Sequence, residues 1–400
     1  MTGRPLHLSA SAISSFKSCP QRFKNAYILG IRPQEDTDAR RTGTNWHRIL
    51  DISSRKPGSV CHECAALPKN NLACPLCSGT GFLPEDIMVA VVGELNRLYS
   101  GDYIDKEKME IERTKLLYSL CGYRWRWQDQ PEKVLGREEH FKLSLINPTT
   151  GRSLPNVSLV GCIDKFIEWN GRPAIKEHKS ASDSLDSGST YWGHLNLDTQ
   201  TTLYLYAARR LQSEGDLVQI NIKPTDPLIS TIIYDVWHKP QISPSKLTQA
   251  ESKMFVETGE YLGQKFIVES PDGVNAEIGE ILVNGIKAEF EPGKKEGTFA
   301  IRETPEMYGT RLLQDITERP DFYFAIREIN RTDKQMKEFE YQLLNIYRTI
   351  QNMIRNDNWY CNESNCEAKF RCDYIDSCYN GIELSVDNVP TGMKLIFSEV

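Results

Sequence analysis

No apolar run in this sequence is long enough to cross a bilayer, and the N-terminus has no charged-then-apolar leader pattern. Both absences point to the cytosol, with no membrane partner. There is no internal repeat and no low-complexity tract, which sets aside solenoids, propellers and tail-like linkers. An excess of positive charge is also missing: 48 Lys and Arg against 54 Asp and Glu leave a formal net charge of −6. That balance argues against a protein that coats nucleic acid through bulk charge. It permits an enzyme with a local basic groove and acidic metal ligands. With 40% hydrophobic and 26% charged residues the chain reads as globular, and 400 residues suffice for one large or two ordinary domains.

Cysteine, by contrast, is abundant. Four of the eleven fall within Cys61 to Cys77 and four within Cys361 to Cys378, while Cys19, Cys121 and Cys162 stand apart. Without a secretory signal, such clusters read as metal sites before disulfides. Cys61-x-x-Cys64 and Cys74-x-x-Cys77 are two closely spaced knuckles, the pattern of a tetrahedral Zn²⁺ site. The plain reading is a metal staple for an insertion too small to hold itself, and the sharper one is a finger that contacts DNA or a partner. His62 is a less favoured substitute ligand, and "CPLCSGTG" resembles DnaJ-type zinc knuckles over too few residues to carry a function.

Hydrophobic periodicity places the main elements. Ile13, Phe16, Phe23 and Tyr27 recur at helical spacing, with Ser9 or Ser11 as N-cap and Pro20 dividing the run into two short helices. A helix starts at "GTNWHRILD", and others cover about 84–98 and 105–127. Three β-rich segments follow, "REEHFKLSL", "SLVGCIDKFIEWN" and "RPAIKEHKS", the last two joined by Asn170-Gly171, a strong two-residue hairpin signal. "LDTQTTLYLYAARRLQ" is helical, "LISTIIYDVWHKP" is a strand ended by Pro240, and a long helix begins near Asp333. Residues 241–320 are mixed.

On the hairpin, Asp164 lies on the first strand and Glu177 and Lys179 on the second. Alternation turns Glu177 and Lys179 to one side and His178 to the other, with Asp164 within reach of the Glu-Lys face. Cleaving a phosphodiester requires a hard cation to polarise the phosphoryl oxygen and acidify a water. Mg²⁺ or Mn²⁺ takes carboxylate, carbonyl and water oxygens, and a neighbouring ammonium group positions the water and stabilises developing charge. The plain alternative is an exposed strand face carrying a surface ion pair.

Read together, the motifs resemble the RecB-like PD-(D/E)XK nucleases, including phage-type exonucleases with an iron–sulfur cluster and the CRISPR adaptation nucleases. The resemblance runs from "SAISSFKSCPQRF" through Gly43-x-x-x-His47, Gly161-x-x-Asp164, Glu177-x-Lys179 and Gln200-x-x-x-Tyr204 to the strand "IIYDVWHKP". It implies an α/β restriction-endonuclease-like core, a mixed β-sheet flanked by helices. It also implies a Mg²⁺- or Mn²⁺-dependent deoxyribonuclease serving DNA replication, recombination or repair. His47, Asp164, Glu177 and the backbone carbonyl of His178 would hold the metal, Lys179 would assist the water, and Gln200 and Tyr204 would bind substrate. DNA, single-stranded or with free ends, is the implied partner, with a helicase or recombination protein beside it.

The resemblance also places Cys19, Cys366, Cys372 and Cys378 around a [4Fe–4S] cluster that clips the two ends of the chain across the core. Cys361 is a rival for the place of Cys366, and zinc or free thiols are the other readings of these cysteines. The implied organisation is a helical segment at 1–52, a zinc-binding insertion at 53–84, the nuclease core with accessory helices at 85–355, an iron–sulfur segment at 356–382 and a tail at 383–400. "YRWRWQD" interleaves Arg124 and Arg126 with Trp125 and Trp127, a composition suited to stacking single-stranded bases. Glu138 aligns loosely with a family glutamate and carries no assigned role, and "EFEPGKKEGTF" reads as a solvated turn. The rival class is a non-catalytic DNA-binding or assembly factor that keeps the fold.

Overall fold

Asn170 and Gly171 both take positive φ, 50° and 74°, the backbone of a two-residue hairpin turn, which an Asn-Gly pair adopts at little steric cost. They form an exposed turn in a computed structural model describing residues 4–64, 74–101, 103–130, 132–269, 280–295, 297–368 and 371–396. The middle of the first cysteine insertion (65–73), Glu296, residues 369–370 of the late cysteine segment and tail residues 397–400 lie outside the described residues.

The main sheet has six strands: β1 (Leu6–Leu8), β2 (Lys133–Ile146), β3 (Ser153–Trp169), β4 (Arg172–Ala181), β5 (Thr231–His238) and β6 (Phe324–Asn330). Their order is β1-β3-β4-β5-β6, with β2 paired along the other side of β3. β3 serves three partners. β2 runs antiparallel along one side of it. On the other side β1 pairs in parallel at Val157–Leu159 and β4 pairs antiparallel from Lys165 to Trp169. Among the described residues, 160–164 therefore have no strand partner on that side, and Asp164 sits at the lip of the opening. β5 is parallel to β4 and antiparallel to β6, which makes the sheet mixed.

Helices cover both faces because the strands bury apolar side chains on both. Ile232, Tyr234 and Val236 of β5 join Ile175 and Leu159 in one cluster. α1 (Ala10–Ser18), α5 (Thr199–Glu214) and α7 (Asp333–Asn356) cover that face with Ile13, Phe16, Leu203, Leu211, Phe339 and Leu343. The alternate residue Trp237 joins a second cluster. α2 (Asp38–Ser53), α3 (Ile87–Leu98), α4 (Lys106–Arg126) and α6 (Pro305–Glu318) bury Trp46, Ile49, Leu95, Leu120 and Leu312 there. The helix expected from about residue 84 begins at Ile87, because the Asp86 side chain accepts from the Met88 N–H and sets the start. Ser9 is the N-cap of α1. Pro20 opens a second short helix, which relaxes into a π turn over Lys24–Ile28.

Residues 241–320 hold a small satellite core of Leu247, Phe255, Val283, Phe299, Ile301 and Met307 under strands of two or three residues. The late segment folds back on the early one. Met393–Leu395 pairs antiparallel with Ile31–Pro33, and Tyr374 and Leu384 pack on Ala26, Leu29 and Ile31. Among the described residues no helix is long and apolar enough to cross a membrane.

One buried charge ties the second layer together. Glu94 of α3 is fully buried, accepting from Arg97 at 2.7 and 2.9 Å and from Arg48 Nε at 3.0 Å. Burial pushes its carboxyl up, but the two guanidinium groups win and hold it below the usual range. A carboxylate depressed in this way contributes stability that is present above its unfolded value and lost on acidification. Glu94→Gln is therefore expected to cost about 2 kcal/mol at neutral pH, allowing for the exposed Arg97. Urea titrations at a series of pH values should show the gap between variant and parent closing as the pH falls below the ordinary carboxylate range.

Candidate active site

Strand alternation on β4 sorts its polar residues into two sets. Glu177 and Lys179 face the α5 side, and Lys176 and His178 face the other. On the α5 side Lys179 Nζ lies 2.5 Å from Glu177 Oε1, and Gln200 Nε2 donates to the same oxygen at 2.7 Å. Gln200 stands in the first turn of α5, whose N-cap Asp198 accepts from the Thr201 N–H. Tyr204, one helical turn on, is buried beside it. At the lip of β3, Asp164 Oδ2 accepts the His178 backbone N–H at 2.9 Å and faces His47 Nδ1 at 3.3 Å. His47 follows Trp46 on α2, whose ring stacks on Trp237 of β5 at 4.2 Å. Helices from opposite faces thus meet at one opening in the sheet.

The electrostatics separate the roles of these groups. Burial pushes the Glu177 carboxyl up to about 7, although Lys179 pulls it down. Burial raises Asp164 too, but His47 and Lys179 hold it well below the usual range. Burial disfavours the Lys179 ammonium, yet Glu177 and Asp164 lift its pKa above the ordinary value, so it stays cationic. Glu177 Oε2 is buried with no hydrogen-bond partner among the described residues, and an orphaned carboxylate oxygen is costly until a cation or a proton meets it. Two carboxylates and an imidazole form a donor set that fits a hard-to-borderline divalent cation. Among the described residues the three groups do not all lie within 4.8 Å of one another. Neighbouring carboxylates repel, so each takes its nearest donors: Asp164 the His178 amide and His47, Glu177 the ammonium of Lys179 and Gln200.

Sequence reasoning missed what lies behind β4. His178 Nδ1 is 3.2 Å from Asp235 Oδ2, which also meets Lys176 at 3.1 Å and accepts from Tyr123 at 2.5 Å. Lys176 further contacts Glu132 at 2.6 Å, with Lys165 at 3.5 Å from the same carboxylate. Burial lowers His178 to about 4, so a neutral imidazole is packed among these charges. The buried ring packs beside Asp235 on the face opposite Glu177 and Lys179, and the backbone N–H of the same residue holds Asp164. A sequence cue was present: four consecutive ionisable residues, Lys176 to Lys179, on a strand put charges on both of its faces, and those facing an interior must pair.

Glu138 sits between the register pairs Arg137–Lys165 and Glu139–Ile163, opposite Asp164, with φ of 46°. That left-handed backbone is strained for a non-glycine residue inside a strand. In the aromatic-basic stretch, Tyr123–Arg126 form the last turn of α4 and do not follow it. Tyr123 is committed to Asp235 and Arg126 to Asp321, while Trp125 remains 42% exposed.

The early cysteines converge. The four thiols of Cys61, Cys64, Cys74 and Cys77 lie within 4.8 Å of one another, with Cys61–Cys74 at 3.8 Å and Cys64–Cys77 at 3.4 Å. Tetrahedral Zn–S bonds of about 2.3 Å require sulfur separations of about 3.8 Å. Burial raises the Cys77 thiol, but Cys64 and the Gly81 and Gly79 amides bring it down to about 7, favouring a thiolate ligand. The site can hold a metal ion. The late cysteine segment meets Cys19 as well. Cys19 and Cys378 stand near enough to bear electrostatically on the Cys361 thiol, and the Asn362 N–H points at Cys19 Sγ at 3.5 Å. Asn362 and Asn365 both donate to the Ser18 carbonyl at 2.9 Å. Cys366 is buried and Cys372 half-buried in the same segment, and among the described residues no three of the thiols of Cys19, Cys361, Cys366, Cys372 and Cys378 all lie within 4.8 Å of one another.

An aspartate where two strands part, with Glu-x-Lys on the neighbouring strand and helices over both faces, is the layout of restriction-endonuclease-like nucleases, and this molecule shares it. The family model of the PD-(D/E)XK nuclease superfamily matches residues 7–379, nearly the whole chain, and the chain belongs to that superfamily. It is also similar to one of the subunits of the ATP-dependent helicase/deoxyribonuclease from Streptococcus agalactiae serotypes Ia and V. The identity is 26% over 212 residues, which is 52% of this chain and 17% of each relative. The chain thus matches less than a fifth of those proteins' length.

Proposed function

We propose that this chain is a Mg²⁺- or Mn²⁺-dependent deoxyribonuclease of the cytosol, acting on single-stranded or end-containing DNA in replication, recombination or repair. The observation that carries the reading is that Asp164, held by the His178 N–H between Glu177 and Lys179, stands close enough for its charge to bear on both, while Glu177 Oε2 is unpartnered among the described residues. His47, Asp164, Glu177 and the His178 carbonyl would hold the cation. When bound, that ion supplies Lewis acidity at the phosphoryl oxygen and acidifies a water. Lys179, held cationic by both carboxylates, orients that water and stabilises negative charge as it grows. Gln200 restrains the Glu177 carboxylate, and the His178 N–H restrains Asp164. Gln200 and Tyr204 line the α5 side for the substrate strand.

The four early cysteines hold Zn²⁺ as a structural site, and a [4Fe–4S] cluster is held by Cys19, Cys366, Cys372 and Cys378, with Cys361 able to replace Cys366. On this reading residues 53–84 are a zinc-binding insertion in a nuclease unit built from 1–52 and 85–355. The cluster segment is 356–382, and 383–400 is a tail. The relatives are named as components of a helicase/deoxyribonuclease, which supports a helicase or recombination protein as partner.

Asp164→Asn tests the reading. The substitution keeps the shape and removes one anionic ligand. It is expected to lower cleavage of linear DNA by at least about 100-fold and to weaken Mn²⁺ binding, followed by electron paramagnetic resonance, about ten-fold. Cleavage at the parent rate with Mn²⁺ affinity unchanged would overturn it. Comparing linear with circular single strands then separates end-dependent digestion from internal cutting.

A further inference from the structure

Arg48, the residue after His47, reaches away from the active site and pairs with two carboxylates at once. One is Glu63, which sits between Cys61 and Cys64 on the first knuckle, and the other is the buried Glu94, at 3.0 Å. The neighbouring turn of α2 repeats the arrangement. Asp51 is held by Arg55 at 2.7 Å and faces His62 at 4.0 Å, and Arg137 of β2 donates to the Ser54 carbonyl at 2.6 Å. The apolar contacts agree. Cys61, Cys74, Leu76 and Cys77 belong to the same buried cluster as Trp46, Ile49 and Leu50. α3 presses on the second knuckle so closely that a Cβ at Gly93 would fall 2.1 Å from the Pro75 carbonyl oxygen. The knuckles therefore form part of the wall behind α2.

We propose that the four-cysteine knuckle is a strut that seats α2 so that His47 meets Asp164, with the Glu63–Arg48 ion pair as the coupling between the two metal sites. The proposal rests on His47 being a ligand of the nuclease metal, as argued above. Adjacent helix positions point about 100° apart, so anchoring Arg48 on one side fixes where His47 points on the other. Groups that orient a ligand from behind govern metal affinity even though they never touch the ion. Glu63 and Arg48 are thus positioning residues, and metal in the knuckle sets the affinity of the nuclease centre.

The test is Mn²⁺ affinity by electron paramagnetic resonance on the full chain, with zinc content measured on each sample. Glu63 is 39% exposed at its side chain, so Glu63→Gln breaks the coupling without leaving a buried charge. With zinc content unchanged it is expected to weaken Mn²⁺ binding about five-fold, and His47→Ala about ten-fold. Glu63→Asp, which keeps the charge, is expected to restore most of the affinity. If Glu63→Gln sheds zinc, Arg48→Lys takes its place, since an ammonium group cannot span both carboxylates, and the same weakening is expected. Parent-like affinity in the zinc-retaining variant, while His47→Ala is weakened, overturns the strut. If His47→Ala itself leaves Mn²⁺ affinity unchanged, the metal-site assignment falls first and the strut falls with it.

Discussion

Lys179→Met is expected to leave the protein folded and able to bind Mn²⁺ within about three-fold of the parent, while cleavage drops by about 10³-fold. The near-isosteric thioether keeps the stem packing on β4 and removes only the charge. In the folded protein that charge meets Glu177 at 2.5 Å and holds Asp164 down, but it supplies no ligand atom. Its loss therefore separates catalysis from metal binding, whereas Asp164→Asn affects both. Single-turnover cleavage alongside Mn²⁺ titration makes the distinction. A Lys179→Met protein that cuts at the parent rate would remove the ammonium from the chemistry and, with it, the enzyme reading of this strand.

The second large effect belongs to Cys19. If the proposed cluster is present, Cys19→Ser is expected to strip most of the iron from anaerobically purified protein and to lower its stability by on the order of 4 kcal/mol, because such a cluster would close a very long loop. Cys19 sits at the junction of α1 and the short helix begun by Pro20, and the late segment hangs on that junction through Asn362, Asn365 and the Gln21–Tyr360 backbone bond. Limited proteolysis should then release the region after α7 first. A variant with full iron content and an unshifted melting point would show that Cys19 is not a ligand. Comparing Cys361→Ser with Cys366→Ser shows which thiol completes the set, since the ligand takes the iron with it.

The parts of the site legible in the sequence were local. The Asn170-Gly171 turn and strict alternation along β4 were enough to put Glu177 and Lys179 on one side and His178 on the other, and the structure has them so. The two Cys-x-x-Cys pairs were legible for the same reason, since a knuckle needs only its own few residues. What escaped was non-local or too short to have a period. β1 is three residues long, and its pairing with β3 spans more than a third of the chain. The Lys176–Asp235–His178–Tyr123 network draws on α4, β4 and β5, whose charges read singly as solvated. The satellite core at 247–307 is built on strands of two or three residues, too short for alternation to stand out in the sequence. Glu63 lies between two cysteines of a knuckle, and its partner Arg48 stands 15 positions away on another element.

The contact between Cys19 and Asn362 joins positions 343 residues apart. Closures of this span are slow to form, because chain entropy is lost before any contact compensates. During synthesis the first helix pair must wait for almost the whole of the described chain to emerge before its natural cover arrives. Until then Phe23, Ala26 and Leu29 offer an open apolar face of the kind that chaperones hold. The segment that carries Asn362 is therefore also the one that ends this exposed period.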